Sequence, residues 1–265
     1  MANNRSFWHS LMSKSDDKKV VTSTKDPMEE GLESLSWFEG QRLAVKKRII
    51  KTRETFGEEI GNSITHGVMA LFLLGMLPYT AVRAYIHAPE GFKVLDTVGI
   101  SIFVICMFLM FLASTIYHSM KHDTPQKRVM NKIDHIMIYF AIAGTYFPIC
   151  ISVIGGGLGL GILIAEWALA IAGTIIKSLM FSKTKLSYAI TCILFLAMGW
   201  LIVFSFGKFY ATNPVAFWLV LAGGICYTLS LIFFSSKYKF AHMIFHFCVD
   251  FGAICHFIGL VYFLR

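Results

Sequence analysis

Residues 94–117 read VLDTVGISIFVICMFLMFLASTIY, a long apolar run whose only charged residue is Asp96. An α-helix needs about 20 mostly apolar residues to cross the hydrocarbon core of a bilayer, so this run predicts a membrane span. One run of similar length and composition precedes it and five follow it. The seven predicted spans are residues 62–85, 94–117, 133–154, 158–180, 186–206, 215–235 and 240–264.

The composition is that of an integral membrane protein. The chain has 265 residues, of which 56% are hydrophobic, and its mean hydropathy is +0.63. Residues 1–58 are the polar exception, and they contain no apolar run that could serve as the core of a cleavable signal peptide. We therefore predict a polar cytoplasmic tail of residues 1–58 and an all-α domain of residues 59–265 that forms a seven-helix transmembrane bundle.

The basic residues of the loops predict the orientation of this bundle. The side shared with the tail carries Lys121, Lys127, Arg128, Lys132, Lys177, Lys183, Lys185, Lys237 and Lys239. The opposite side carries only Arg83, Lys93, Lys208 and Arg265. Because loops rich in Lys and Arg stay in the cytoplasm, we expect a cytoplasmic N-terminus and a C-terminus outside.

The end of the tail, residues 37–56, mixes apolar side chains such as Trp37 and Ile49 with basic ones such as Lys46 and Arg48. This mixture fits a helix that lies on an anionic inner leaflet. It equally fits a solvated basic stretch that follows the positive-inside rule, and both interpretations stay open.

The net charge of +8 is explained by this topology, and no clustered basic face or motif points to nucleic acid. The six cysteines all lie within apolar runs and none has CxxC spacing. We interpret them as small packing residues and not as disulfide partners.

Four ionisable side chains occur at the cytoplasmic ends of the predicted spans. His118 ends span 2, Asp134 starts span 3, and His242 and His246 lie one turn apart in span 7. Such groups are costly in a membrane unless something binds or pairs them, so they mark a functional site. Three imidazoles with a carboxylate are typical of a catalytic zinc centre, although iron, nickel or copper could use the same ligands. A proton relay or a buried polar network is the alternative.

Further polar residues lie close to these four in the sequence. Ser114 precedes His118 by one helical turn, and Asp250 continues the stripe of His242 and His246. His135 and His87 are interpreted as packing or loop residues, and Glu166 in span 4 has no identified partner.

A second polar cluster lies where span 1 enters the membrane and consists of Glu59, Asn62, Thr65 and His66. Asn62 could cap the helix, with Glu59 near its positive end. Alternatively, His66 lies at the depth of the predicted metal and could support its ligands.

Three sequence blocks resemble the signature blocks of the hemolysin III and progestin/adipoQ receptor family. They are residues 59–66 (EIGNSITH), 114–118 (STIYH) and 242–256 (HMIFHFCVDFGAICH). The resemblance covers about residues 55–265 and all seven spans. The short tail and compact loops are more similar to the bacterial branch than to a hormone receptor. This implies an inner-membrane protein without an extended outer surface for a protein ligand, and it names no protein partner.

The resemblance also implies roles for particular residues. Adiponectin receptors, which are similar to this family, hold zinc with one histidine of the second helix and two of the seventh, which match His118, His242 and His246. The family's third-helix aspartate, which contacts the zinc through water, matches Asp134 in KIDHIMIYF. The serine of the second helix matches Ser114. Glu59, Asn62, His66 and Asp250 are expected around these ligands.

The activity implied by the resemblance is hydrolysis of a lipid amide, as in ceramidases, or of a lipid ester. The expected partners are membrane lipids and a lipid-like substrate. A non-enzymatic sensor of membrane lipids with a structural zinc is the alternative. A pore-forming cytolysin is less favoured, because the chain has the topology of a conventional inner-membrane protein.

Overall fold

A computed structural model describes residues 36–42, 54–179, 185–234, 236 and 238–264. The chain divides into two units, Met1–Arg53 and Glu54–Arg265. In the first unit, residues 36–42 form a short helix on which Trp37 and Phe38 are exposed. Most of the predicted surface helix, residues 43–53, lies outside the described residues.

The second unit is built from helices, and the described residues contain no strand. Seven of its helical segments are long and apolar enough to cross a membrane. In chain order, spans 1 to 7 are Phe56–His87, Lys93–Ser119, Pro125–Ile154, Gly156–Leu179, Leu186–Thr212, Pro214–Phe234 and Ala241–Tyr262. The prediction of an all-α membrane protein with seven transmembrane helices is confirmed.

The spans differ in how deeply they are buried in the bundle. Half or more of the apolar window is buried in span 2 (50%), span 3 (56%) and span 7 (67%), against 28–33% in the other four. The outer spans expose large apolar side chains such as Leu71 and Phe204, as expected where the neighbour is lipid and not water. The three central spans are those that were predicted to carry the metal site.

Span 1 begins earlier than its apolar run because a capping box starts it at Phe56. The Thr55 hydroxyl accepts a hydrogen bond from the Glu58 amide (3.3 Å), and the Glu58 carboxylate accepts one from the Thr55 amide (2.7 Å). Asn62 therefore lies in the second turn of the helix, and the interpretation of Asn62 as the cap is wrong.

Span 3 also begins before its apolar run. Thr124 caps it, its side chain accepting from the Lys127 amide at 3.1 Å, and Pro125 occupies the first helical position. Asp134 consequently lies in the third turn of the helix. The prediction that Asp134 starts span 3 is wrong, because the helix begins at Pro125.

Two spans depart from regular α-helix. Span 3 ends in a π-helical segment, Ile149–Ile154, after Pro148, and a single residue, Gly155 with φ +58°, separates it from span 4. Span 4 begins at Gly156, before its predicted start at residue 158.

Span 5 changes to a 3₁₀ helix over Leu201–Ser205. At this break the Tyr146 hydroxyl accepts from the Ile202 amide (2.9 Å) and donates to the carbonyl of Met198 or Gly199 (2.9 and 3.0 Å). The Tyr146 hydroxyl of span 3 thus forms hydrogen bonds with backbone groups of span 5 at the point where the regular helical hydrogen bonds are interrupted.

The orientation of the bundle is tested by reporter fusions. A fusion at Asp123, between spans 2 and 3, should report the cytoplasm, and a fusion after the last residue should report the exterior, because the loop charges are strongly asymmetric. Paired alkaline phosphatase and fluorescent protein reporters give the readout at each site. Finding both positions on one side would contradict the seven-span topology.

Candidate metal centre

Three histidines from spans 2 and 7 meet at one end of the bundle. His118 is in the last turn of span 2, and His242 and His246 are in the first two turns of span 7. One ring nitrogen from each of the three histidines lies within 4.8 Å of those of the other two, a separation that a single metal ion can bridge. His118 and His246 are buried, whereas the His242 side chain is 25% exposed. The structure therefore brings together the three predicted ligands.

The hydrogen bonding of His118 leaves one of its nitrogens available. Its Nδ1 lies 2.8 Å from a carboxylate oxygen of Glu59 and donates to it. A neutral imidazole with its proton on Nδ1 has a free electron pair on Nε2, and Nε2 of His118 is buried without a hydrogen-bond partner among the described residues. A buried imidazole nitrogen with no acceptor or donor beside it is what a site for a metal ion requires.

His246 is oriented in the same way by span 1. Its Nδ1 donates to the Asn62 carbonyl oxygen at 3.2 Å, with the Thr65 hydroxyl 3.4 Å away. This bond places the proton on Nδ1 and leaves Nε2 as the nitrogen that can bind a metal. Asn62 thus contacts the site through its backbone, and its side-chain amide donates to Glu54 at 3.2 Å.

Glu59 connects His118 to a buried cation. Its second carboxylate oxygen lies 2.6 Å from Nζ of Lys127, which also donates to the Met120 carbonyl at 3.0 Å. His122 approaches the same oxygen at 3.3 Å. Lys127 had been interpreted only as a positive loop charge, and nothing in the sequence signals its burial. Its position in the first turn of span 3 ties three spans together around His118.

Glu54 is a further residue that sequence reasoning missed. Its carboxylate oxygens lie 3.6 Å from His118 Nδ1 and 3.7 Å from His242 Nδ1. Burial raises the pKa of Glu54 above its usual value, Glu59 and Glu58 add to the rise, and His118 opposes it. The signal for this residue was the group of three glutamates, Glu54, Glu58 and Glu59, that follows a strongly basic stretch.

Asp134 and Ser114 lie beside the histidines and not among them. The two side chains are neighbours, and both line the same cavity as His242 and His246. Asp134 is not part of the group of ligand atoms within 4.8 Å of one another. Its position suits a contact with the centre through water.

Of the remaining polar residues, His66 and Asp250 lie next to the three histidines and Glu166 does not. His66 stacks on His246, with ring centroids 3.6 Å apart and ring planes 9° from parallel, and its Nε2 lies 3.8 Å from Asp250. His66 and Asp250 therefore form a layer behind His246. Glu166 is distant from this layer: it is fully buried in span 4, and neither carboxylate oxygen has a hydrogen-bond partner among the described residues.

The histidines expected to have packing roles contact their own helices. The His135 ring bonds to the Asn131 carbonyl at 2.6 Å, and the His87 ring bonds to the Arg83 carbonyl at 3.0 Å. All six cysteines are free thiols.

A cavity of about 150 Å³ extends from the histidines into the bundle. His242, His246, Asp134 and Ser114 line the end of this cavity at the candidate centre. Beyond them the lining is mostly aliphatic and aromatic and comes from spans 2, 3, 5, 6 and 7, with Phe206, Phe209 and Phe217 among its residues.

Residues 54–257 match the model of the family described as Haemolysin-III related. The chain belongs to the haemolysin III family. The match begins at Glu54 and so contains every residue of the candidate centre, and the family predicted from the three sequence blocks is confirmed.

Similar proteins cover most of the chain. A hemolysin-3 homolog of Bacillus subtilis is 33% identical over 211 residues, 79% of this chain and 95% of the relative. Hemolysin-3 of Bacillus cereus is 34% identical over 209 residues, 78% of this chain and 92% of the relative. The human monocyte to macrophage differentiation factor is 28% identical over 160 residues, 57% of this chain and 64% of that protein.

Proposed function

We propose that this haemolysin III protein is a zinc-dependent membrane hydrolase that cleaves an amide or ester bond of a lipid. The observation that carries the proposal is that a cluster of three histidines adjoins an apolar cavity. Two of them, His242 and His246, line the cavity together with Asp134 and Ser114. A site closed by four protein ligands would support only a structural role, whereas a ligand set beside a cavity leaves room for a substrate.

The donor set fits a zinc ion. His118 and His246 each donate from Nδ1 to an oxygen, which leaves their Nε2 atoms as ligands, and His242 supplies the third imidazole. A zinc ion held by these three residues would polarise a carbonyl group and make water a stronger nucleophile. Glu59 and the Asn62 carbonyl keep two of the rings in the required tautomer, as hydrogen-bonded partners of metal-binding histidines commonly do.

The roles of the other side chains follow from their chemistry. The Asp134 carboxylate can accept the proton that the attacking water loses and later deliver it to the leaving group. The Ser114 hydroxyl lies beside Asp134, where it can orient that carboxylate or donate a hydrogen bond to the oxygen that becomes negative.

The shape of the cavity supports a lipid with a slender chain. Its lining follows span 6 from Phe234 to Phe217, about 25 Å at a rise of ~1.5 Å per residue. The hydrocarbon core of a bilayer is about 30 Å thick, so this length exceeds one leaflet. An acyl chain in the apolar part would place its carbonyl group at the polar end, beside His242, His246 and Asp134.

A lipid sensor without catalysis is the second candidate. The three histidines join spans 2 and 7, so an ion at this position would also hold the bundle together. In that case ligand binding to the cavity, and not bond cleavage, would be the function.

Release of fatty acid from defined lipids tests the proposal. Purified protein in detergent micelles, loaded with zinc, is incubated with a ceramide, an N-acyl amino acid lipid, a lysophospholipid and a diacylglycerol, and the products are measured by mass spectrometry. We expect release from at least one lipid class, reduced more than ~10²-fold after zinc is removed and restored by its return. Full zinc occupancy with no product from any class would favour the sensor.

A further inference from the structure

Span 7, which carries two of the three histidines, begins in an unusual way. Its N-cap residue is Phe240, which has φ +62° and lies in the left-handed region that residues other than Gly, Asn and Asp rarely adopt. The Phe240 carbonyl accepts the first helical hydrogen bond, from the Ile244 amide at 3.0 Å. No side-chain cap within span 7 supports this start.

The support comes from span 1 instead. The Phe240 amide donates to Oε1 of Glu58 at 2.6 Å, and a carboxylate at the N-terminus of a helix is also favoured by the helix dipole. The Phe240 ring is 38% exposed, so burial of the ring does little to hold this residue. Left-handed backbone at a bulky residue persists only where its surroundings fix it, and the contact with Glu58 is such a restraint.

The other oxygen of Glu58 is held in turn. Its Oε2 accepts from the Thr55 amide at 2.7 Å and from the Thr55 hydroxyl at 2.8 Å. A single buried carboxylate therefore joins the start of span 1 to the start of span 7. Glu59, the next residue, contacts His118 at the end of span 2, so adjacent glutamates contact both segments that carry the histidines.

We propose that Glu58 is a positioning residue for the metal centre. By fixing the Phe240 amide it sets the start of span 7, and thereby the place of His242 and His246 relative to His118. Glu58 contacts no predicted metal ligand through its hydrogen bonds and is expected to act only through the backbone of span 7. The inference rests on the metal centre of the proposed function but not on hydrolysis.

Zinc affinity measured on the full chain in detergent micelles tests this role, with competing chelators as the readout. Glu58→Ala should weaken zinc binding about 10- to 100-fold, the range found when residues that orient metal ligands are removed. Glu58→Gln keeps one oxygen that can accept from the Phe240 amide, but its NH2 group then faces the Thr55 amide, so it should recover part of the affinity that Glu58→Ala loses. Cobalt(II) absorption spectra of the same variants should change in intensity more with Glu58→Ala than with Glu58→Gln.

Thr55→Ala is the matched control, because it removes the hydroxyl that caps span 1 and leaves the Phe240 contact in place. It should lower thermal stability while keeping the zinc Kd within about threefold. If Glu58→Ala fails to fold, Glu58→Asp replaces it: its shorter side chain cannot reach both partners, so it should bind zinc more weakly than Glu58→Gln. Wild-type affinity in Glu58→Ala or Glu58→Asp would overturn the positioning role, whereas absence of zinc from the wild type would overturn the metal centre itself.

Discussion

Replacing His242 and His246 together with alanine should remove zinc from the purified protein. The wild type should contain about one zinc per chain, and each imidazole is expected to supply a large share of the binding free energy. Structural zinc sites with four ligands are worth roughly 10–16 kcal/mol, so one ligand accounts for about 3 kcal/mol, or more than a hundredfold in Kd. With one histidine left, no tight site remains.

Plasma emission spectrometry of dialysed protein gives the zinc content directly. His87→Ala is the control, since His87 is exposed and bonds to its own helix at the far end of span 1. It should bind zinc like the wild type. Circular dichroism must report an intact helical fold for all variants, so that loss of zinc is not loss of structure.

This double substitution also distinguishes between two candidate metal-binding sites. Glu54, Glu59 and His118 form a second group of close ligand atoms, and they would remain intact in the variant. One oxygen of Glu59 is already 2.6 Å from the Lys127 ammonium, and a cation there competes with a metal. Zinc retained in full by the double variant would move the site to this second group and would contradict the three-histidine centre.

The seven spans could be predicted because each leaves a long apolar run in the sequence. The three histidines could be predicted as one site because span 2 ends, and span 7 begins, on the same side of the membrane. A separation of four residues also keeps His242 and His246 on one face of span 7. These two regularities are local and need no knowledge of how the helices pack.

The starts of the spans were less predictable. Hydropathy detects the apolar part of a helix, but spans 1 and 3 continue into polar sequence that Thr55 and Thr124 cap. Because the start of span 3 was predicted too late, Asp134 was expected in the first turn and lies in the third. The error at span 1 concealed the capping box that involves Glu58.

Contacts between distant polar residues could not be predicted at all. Lys127 meets Glu59 across 68 residues of sequence, and the Phe240 amide meets Glu58 across 182. Both contacts depend on which helices become neighbours, and a single sequence contains no periodic signal for that. The backbone break in span 5 and its hydrogen bonds to Tyr146 are hidden for the same reason.

Asp134→Asn should abolish lipid hydrolysis while the fold and the metal remain. An amide has nearly the size of a carboxylate, so the neighbouring Ser114 can still interact with it, but it cannot take a proton from the attacking water. General base catalysis commonly contributes about 10²–10⁴-fold, and the loss in kcat should fall in this range. Because Asp134 is not one of the three closest ligands, zinc content should stay near one per chain.

Ser114→Ala provides a comparison with Asp134→Asn in which a smaller loss of kcat is expected. It removes the hydroxyl beside Asp134 but leaves the base, so it should lower kcat by less than Asp134→Asn does and change KM little. If Asp134→Asn hydrolyses lipid at the wild-type rate, Asp134 is not the base. If neither the wild type nor any variant releases a product, yet Asp134→Asn and His246→Ala alter the membrane lipid composition of cells equally, the centre acts in sensing. Loss of turnover in Asp134→Asn with zinc and fold retained is expected of a catalytic centre and not of a purely structural ion, so this variant distinguishes the two.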